Sequence, residues 1–499
     1  MDHVRALSPA AILCAAPARP VALPLSTPQR LAPAIATFLA LLMFVLPTVA
    51  RASSHAAPAP SAPSGPILTL RGVVRDRETR QPLPYATVSL AGGEVGTVCN
   101  ADGEFILKVD PAQVPPPASA NPATNPATGQ APALESSRKQ ASTTAAGDGS
   151  GVLIEVSHLG YRTARFPLSE EPQSRPLTVW LSPVSTPLAE IVALSGDARA
   201  IVDEALRRID QNYPDQPRTL TAFYRETTRK RRRYIQIAEA VVQVTKSAYT
   251  LTPDISTDRV RIHRGRKLLS QRPSDTVAVK LQGGPTLPVY MDLVKSPDQL
   301  LSPDLLDCFN YRLQSIVQVD ERPVYVVSFA PRTLLDFPLY SGHYYIDVET
   351  LTLTRAEYAM DLTDRPKAIR AILRRKPAGL RFRPVEVSFV VDYRRTTEGR
   401  SRLHYVRSLI QFRCDWRRRL FATEYSVVAE AVVTDSRPGS ARDIPAREQF
   451  SRTQIFADDA TLFADPDFWG DYNIIAPEES LEHAVDRLTK KQKATNNEQ

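Results

Sequence analysis

Between Leu70 and Val109 the chain alternates apolar and polar positions in short bursts separated by turn residues. Gly72-Val73-Val74 is a brief apolar run that breaks into the charged loop Arg75 to Arg80. Behind Pro82 and Pro84, Ala86, Val88 and Leu90 alternate with Thr87 and Ser89, the period of a half-buried strand. Asn100-Ala101-Asp102-Gly103 supplies residues that tolerate a positive φ, and Phe105, Leu107 and Val109 resume the alternation. Residues 111–151 carry almost no large apolar side chain, which predicts a disordered insert. The strand pattern returns with Val152, Ile154 and Val156, then "GYRTARFPL", then Leu177, Val179 and Leu181. A long insert between two strands belongs at a hairpin tip, because closure entropy grows slowly with loop length. A first β-domain is therefore expected over 67–183.

From Ser195 the period changes. Ile201, Val202, Ala205, Leu206 and Ile209 recur at helical spacing and stop before Pro214. Strand patterns come next at 234–245, 259–265, 323–331, 342–361, 384–395, 401–414 and 420–435, separated by short polar turns. That succession predicts an antiparallel meander. Near the end, Pro477 precedes two glutamates, Leu481, Ala484, Val485 and Leu488 share one face, and lysines come after them, the order of signals of a helix. The predicted fold class is mainly β: an N-terminal seven-stranded sandwich, then a larger antiparallel-sheet α+β domain over 195–490 with flanking helices.

Composition matters most at the N-terminus. Leu31 to Ala50 holds no charged residue, Arg19 and Arg30 precede it, and Ala50-Arg51-Ala52 closes it, the order of a secretory signal. The lead-in is long, so translation starts downstream of Met1 or the segment stays as an anchor; the uncharged stretch could just span a bilayer, although Pro33 and Pro47 shorten it. Residues 1–52 are read as signal peptide or anchor, and 53–66, "SSHAAPAPSAPSGP", as a disordered tether. The expected location is across the inner membrane, in the periplasm or outer membrane. Cys14 lacks the small residue expected before a lipidated cysteine, so a lipoprotein is not expected. Cys99, Cys308 and Cys414 match no zinc spacing and cannot all pair; they read as buried free thiols, with a Cys308–Cys414 bridge as the alternative.

The opening pattern carries a family resemblance. Pro84-Tyr85-Ala86-Thr87-Val88, Asp102-Gly103-Glu104-Phe105 and the corner Ser157-Gly160-Tyr161 together resemble the carboxypeptidase-like regulatory domain, a transthyretin-like β-sandwich. In that family the domain accompanies metallocarboxypeptidases or outer-membrane receptors and is not itself catalytic. "YPDQPRTLTAFYRE" (213–226), "HYYIDVETLTLTRAEYAM" (343–360) and "DFWGDYNIIAPEESLEHAVDRL" (467–488) resemble the C-terminal region of secreted bacterial proteins that carry such a domain. On strand pattern alone, the middle of the chain also resembles the lipoprotein-carrier half-barrel of the bacterial envelope. The insert at 111–151 and the long lead-in depart from the family pattern.

Catalytic chemistry finds little support in the residues. A zinc carboxypeptidase needs a His and a Glu three apart, a distant His and a further Glu. None of His3, His55, His158, His263, His343, His404 and His483 begins that motif. His483/Asp486 reads as a solvated helix face, His343/Asp347 as an ordinary strand face, and Asp347/Glu349 as carboxylates serving a hairpin turn. No nucleophile elbow, phosphate loop or dinucleotide turn is present. No catalytic, cofactor-binding or metal-binding residue is singled out, and the expectation is a non-enzyme without cofactor.

The formal net charge of +8 is mostly arginine and is spread along the chain, which argues against a nucleic-acid arm. Its clusters, Arg229-Lys230-Arg231-Arg232-Arg233, Arg374-Arg375-Lys376 and Arg417-Arg418-Arg419, all fall between predicted strands. They read as solvated tips that block edge pairing, or, if they share one end of the sheet, as a contact for anionic lipid or lipopolysaccharide phosphates. The function expected is a non-catalytic envelope protein with a lipid, glycan or protein partner; the alternatives are a lipid or lipoprotein carrier and a hydrolase with an unrecognised site. Tyr161 should bury its ring and give its hydroxyl to a backbone group. Trp469 should pin the C-terminal segment to the large sheet, with the two domains otherwise uncoupled.

Overall fold

The alternation in the first part of the chain resolves into seven strands in two layers. The computed structural model describes residues 67–92, 94–111, 153–168, 175–184, 197–250, 257–270, 283–297, 300–373, 379–416, 422–462, 468–478, 481–485 and 488–489. The expected leader, the tether, nearly all of the insert, Asp486 and the basic clusters at 374–376 and 417–419 lie outside the described residues.

One layer orders β1 (Leu68–Asp76) between β4 (Glu104–Val109) and β7 (Leu177–Leu181). The other orders β3 (Gly96–Val98), β2 (Thr87–Leu90), β5 (Leu153–Ser157) and β6 (Ala164–Pro167). The inward positions of both layers, among them Val74, Val88, Leu90, Phe105, Leu107, Ile154, Val156 and Leu181, form one buried cluster. The β3–β4 turn shows why its sequence is "NADG". Gly103 sits at φ 75° with Val74 O only 2.7 Å from where a Cβ would lie, and Asn100 Oδ1 accepts from the backbone of Asp102 and Glu104.

The second part is an eleven-stranded sheet. In chain order its strands are β8 (Arg218–Lys230), β9 (Arg233–Lys246), β10 (Arg259–Leu269), β11 (Phe309–Val319), β12 (Arg322–Pro331), β13 (Tyr340–Asp347), β14 (Leu353–Met360), β15 (Leu380–Arg395), β16 (Ser401–Trp416), β17 (Thr423–Pro438) and β18 (Thr461–Leu462). Their spatial order is β11-β12-β13-β14-β15-β16-β17-β8-β9-β10-β18, antiparallel except for the last pair. A meander is thus present, but the last long strand, β17, turns back to pair with the first, β8. The stretch 342–361 is a hairpin, β13 and β14, with its turn at Asp347/Glu349 as expected, capped by Asp347 Oδ1 accepting from the backbone of Glu349 and Thr350.

One face of this sheet is covered by helices: α1 (Ala198–Arg207), α2 (Leu287–Tyr290), α3 (Pro303–Leu306) and α4 (Arg365–Ile372). Of the positions read as one helical face, α1 buries Val202 and Ala205, together with Ala198, and leaves Ile201 and Leu206 half-buried; Asp197 caps its start by accepting from Arg199 N. The opposite face of the sheet carries the sandwich. Val98 of β3 and the ring of Tyr85 join Phe223, Val241, Tyr405, Val432, Trp469 and Ile475 in one apolar cluster. A second contact sets Leu159 on Val324, Val326 and Tyr345, while Gly160 N donates to Gln318 O at 2.9 Å.

The segment 468–478 lies between the two parts and binds both. Asn473 bonds the edge of β4 in both directions, accepting from Lys108 N at 2.7 Å and donating to Lys108 O at 2.8 Å. On its other side, Ile475 O accepts from Arg225 of β8 at 2.7 Å. Trp469 meets Phe223 edge to face at 5.3 Å, with the Arg266 guanidinium 4.8 Å from its ring. The expected pinning role of Trp469 is what the contacts show. The expected independence of sandwich and sheet is not, because the pinned segment is shared.

Candidate functional site

Two regions concentrate chemistry. The first is a buried polar cluster under the helices, at the end of the sheet where Arg218 pairs with Lys246. Asp292, just beyond α2, accepts from Lys246 Nζ, from the Tyr249 hydroxyl and, at 2.9 Å, from the Tyr393 hydroxyl. Nearby, Lys295 Nζ donates to both oxygens of Asp258 and to Ser247. Both ion pairs are sealed, with all four side chains at most 3% exposed. Burial pushes the tyrosine hydroxyls of 213, 249 and 393 far up, with the Asp292 charge adding to it. Burial, aided by Lys246, lowers Lys295 against the pull of Asp258. The recess beside the cluster, lined by Pro214, Gln216, Arg218 and Tyr249 among others, is about 10 Å³, room for roughly one water. A cluster so fully paired holds α2 and its flanks in register on the sheet.

The second region is the opposite end of the sheet. Here β8 turns into β9 through Arg231 and Arg232, both exposed, with Arg231 at φ 56°. The register brings neighbouring strand ends to the same place: Lys230 lies opposite Tyr425, Thr423 opposite Cys414, and Trp416 opposite Leu380. The strands flanking 417–421 and the strand that begins after 374–378 therefore terminate beside the 229–233 hairpin. Arg381, Arg383 and Arg413 are exposed on the same strand ends. Acids at this end are fewer: Asp415 lies opposite Arg381, Glu424 meets Arg413 at 3.8 Å and Glu478 pairs with Arg229 at 3.0 Å. Whether the clusters at 374–376 and 417–419 share this end lies outside the described residues; the described basic residues here are those of the 229–233 hairpin with Arg381, Arg383 and Arg413.

The histidines are scattered. His343 is exposed on β13, while Asp347 is engaged by Arg322 at 2.6 Å and by its own turn. His483 is exposed on the terminal helix. His158 Nδ1 meets Leu159 O. His263 stacks on Tyr472, and burial with Arg261 and Arg437 lowers its pKa to about 4. His404 is the unpaired residue where Asp392 faces Tyr405 but Tyr393 faces Leu403. It is 3% exposed, and burial with Arg394 and Arg402 holds its pKa far below the ordinary range. Cys99, Cys308 and Cys414 are free thiols, so the alternative bridge is not formed. Among the described residues no group of three His, Cys, Asp or Glu side chains could hold a metal, and no helix is long and apolar enough to cross a membrane.

The Lys246–Asp292 and Lys295–Asp258 pairs are invisible in the linear sequence. No local signal marks them, since their partners come from segments more than thirty residues apart.

Mainly β architecture with a seven-stranded sandwich on one face of a long antiparallel sheet is the class this chain defines. Residues 70–114, the β1–β4 stretch and the residues just after it, match the CarboxypepD_reg-like domain. A search of curated proteins finds no match. Among solved structures, similarity is found to a domain from Vibrio parahaemolyticus described as an outer membrane lipoprotein-sorting protein. It has 11% identity, covers 48% of this chain and 91% of that one, and gives a TM-score of 0.22. A DUF1329 family protein from Desulfovibrio piger is similar at 12% identity, covering 48% of this chain and 94% of that one, with a TM-score of 0.20.

Proposed function

We propose that this chain is a non-catalytic protein of the bacterial envelope that works at an anionic lipid surface. The observation that carries the reading is the set of exposed arginines at one end of the sheet, Arg231, Arg232, Arg381, Arg383 and Arg413. Each lysine or arginine near an anionic surface contributes about 1 kcal/mol, so several on one rigid end suffice for reversible attachment. The sealed ion pairs and the scattered histidines support a non-catalytic role: each charged group in the buried cluster is already engaged by a structural partner.

The test is co-sedimentation of the purified chain with phosphatidylcholine vesicles, with and without phosphatidylglycerol. Binding is expected only with the anionic lipid and should fade at high salt as the Debye length shortens. Replacing Arg231 and Arg232 by glutamate reverses two exposed charges and should lower partitioning more than tenfold. Equal binding to neutral vesicles, or indifference to the double reversal, would overturn the proposal.

The helix-covered face favours a second reading, carriage of an apolar ligand. Its large side chains, among them Phe309, Phe329, Tyr344, Tyr358 and Phe389, line a continuous aromatic floor rather than facing a second sheet.

A further inference from the structure

At the end of the sheet that carries the exposed arginines, two of them meet across neighbouring strands. Arg383 of β15 lies directly opposite Arg413 of β16, and both are exposed. Like charges placed opposite one another on paired strands repel, which destabilises the sheet unless an anion sits between them. The protein supplies little of that anion. Glu424, opposite Arg413 on β17, reaches it only at 3.8 Å, with both side chains open to water. Asp415 faces Arg381, and Glu386, opposite Gln411, accepts from Ser388 Oγ at 2.7 Å. Among the described residues none engages Arg383 in a hydrogen bond or an ion pair. Edge protection does not account for the pair either, because β16 is enclosed between β15 and β17 and Arg413 has no edge to guard.

A bulge adds an apolar group to this corner. The register of β15 on β16 shifts between Pro384 and Glu386, which leaves Val385 as the extra residue, 44% exposed. A bulge re-aims a side chain while the ladder on either side holds the backbone in place. An unpaired cation and an exposed valine thus stand two positions apart on one strand.

We propose that Arg383 and Arg413 grip the phosphodiester of a phospholipid headgroup between their guanidiniums, with Val385 entering the acyl boundary beside it. This rests on the anionic-surface reading given above and adds one fixed contact to it. A guanidinium presents a planar fork of N–H donors that matches two phosphate oxygens. Side chains directly opposite in an antiparallel pair start about 5 Å apart at Cβ, so two forks can close on one phosphate from either side. The bound anion removes the repulsion that the bare pair carries. Val385 decides the source: a free phosphate gains nothing from an apolar neighbour, whereas a phospholipid sets its glycerol ester and acyl chain next to its phosphate.

The experiment is partitioning of the purified chain onto phosphatidylcholine vesicles containing phosphatidylglycerol, with lysine put in place of arginine. Lysine keeps the charge and loses the fork, so Arg383→Lys/Arg413→Lys should weaken partitioning about tenfold, while Arg231→Lys/Arg232→Lys leaves it unchanged. Equal partitioning of the two lysine variants would overturn the grip and leave the anionic-surface reading standing. A parent chain that ignores these vesicles would overturn both. Val385→Ser should weaken partitioning severalfold without altering its salt dependence. Unchanged partitioning of that variant would overturn the phospholipid assignment in favour of free phosphate. Arg383→Gln gives a readout without lipid. Relief of the repulsion should hold or raise the melting temperature, whereas a fall would mean that Arg383 has a protein partner and refute the assignment.

Discussion

Tyr161 illustrates how far a single residue can be read in advance. Its ring lies against the sandwich core, as the Gly160-Tyr161 corner implies, but its hydroxyl donates to Asp76 Oδ2 at 2.8 Å rather than to a backbone group. Asp76 also accepts from the backbone of Glu78 and Thr79. The ring's burial is implied by local chain geometry; the acceptor is 85 residues away and carries no local signal. His404 is the residue with the sharpest predicted consequence. In the folded chain it stays neutral because burial and two guanidiniums oppose its charge. Unfolded, it takes a proton below about pH 6.5. The unfolded state therefore binds more protons as pH falls, and stability present above about pH 6.5 is lost below it, by about 1.4 kcal/mol per pH unit for one such group. His263, held to about 4, acts in the same direction. Urea midpoints measured between pH 7.5 and 5 should fall steeply in the parent and less steeply in His404→Gln. Equal slopes would show that His404 is not the group responsible.

At the level of elements, most strands are legible in the sequence, β9 among them although both its faces are covered, while β8 and β11 are not. Strand β8 escapes because both its faces are covered, Tyr224 under the helices and Phe223 toward the sandwich, while the equally buried Thr219, Arg225, Glu226, Thr227 and Thr228 break up any apolar pattern. Strand β11 does alternate, with Phe309, Tyr311 and Leu313 against Asn310, Arg312 and Gln314, but its polar half masks the pattern. Its turn into β12 is a two-residue loop with Asp320 and Glu321 at φ 50° and 63°, residues without glycine's freedom in a position that favours it. The short helix α2 has no periodicity to read, and the Asp292 carboxylate just past its end is what holds it. Asp292→Ala leaves Lys246 buried without its carboxylate, and breaking a buried pair in this way costs about 3–5 kcal/mol. Denaturant unfolding should show that loss, and a change within a few tenths of a kcal/mol would mean that the segment is held by its leucines alone.

For the whole molecule, the docking of sandwich on sheet is what local reasoning could not reach. Arg402 donates to Glu94 through Nε and to Glu94 O at 3.0 Å, and Tyr85, at φ 62°, lays its ring over Tyr405 with Arg407 5.2 Å away. A tyrosine held at positive φ is a strained residue that persists only where surrounding contacts over-determine it. Cutting Trp469 to alanine should cost about 3–5 kcal/mol, the range for a large aromatic in a core. Because the segment that it anchors also bonds β4, probes in the sandwich and in the sheet should report the same lowered transition. Two separated transitions in the variant, with the sandwich unchanged, would contradict a shared segment.

The return of β17 to β8, with residues 468–478 completing both parts, sets the order in which the molecule can be finished. A ribosome or a translocation pore delivers the chain from its N-terminus, so β8 waits with one side open until nearly two hundred further residues have emerged. Its outer partner and the wedge against the sandwich arrive last. Such distant pairing makes folding slow and leaves a long, apolar strand edge exposed in the meantime. A truncation just before Thr423, which removes β17 as well as the wedge, should therefore behave as an arrested intermediate, soluble only with a holding chaperone, whereas the full chain closes on itself once its tail is free.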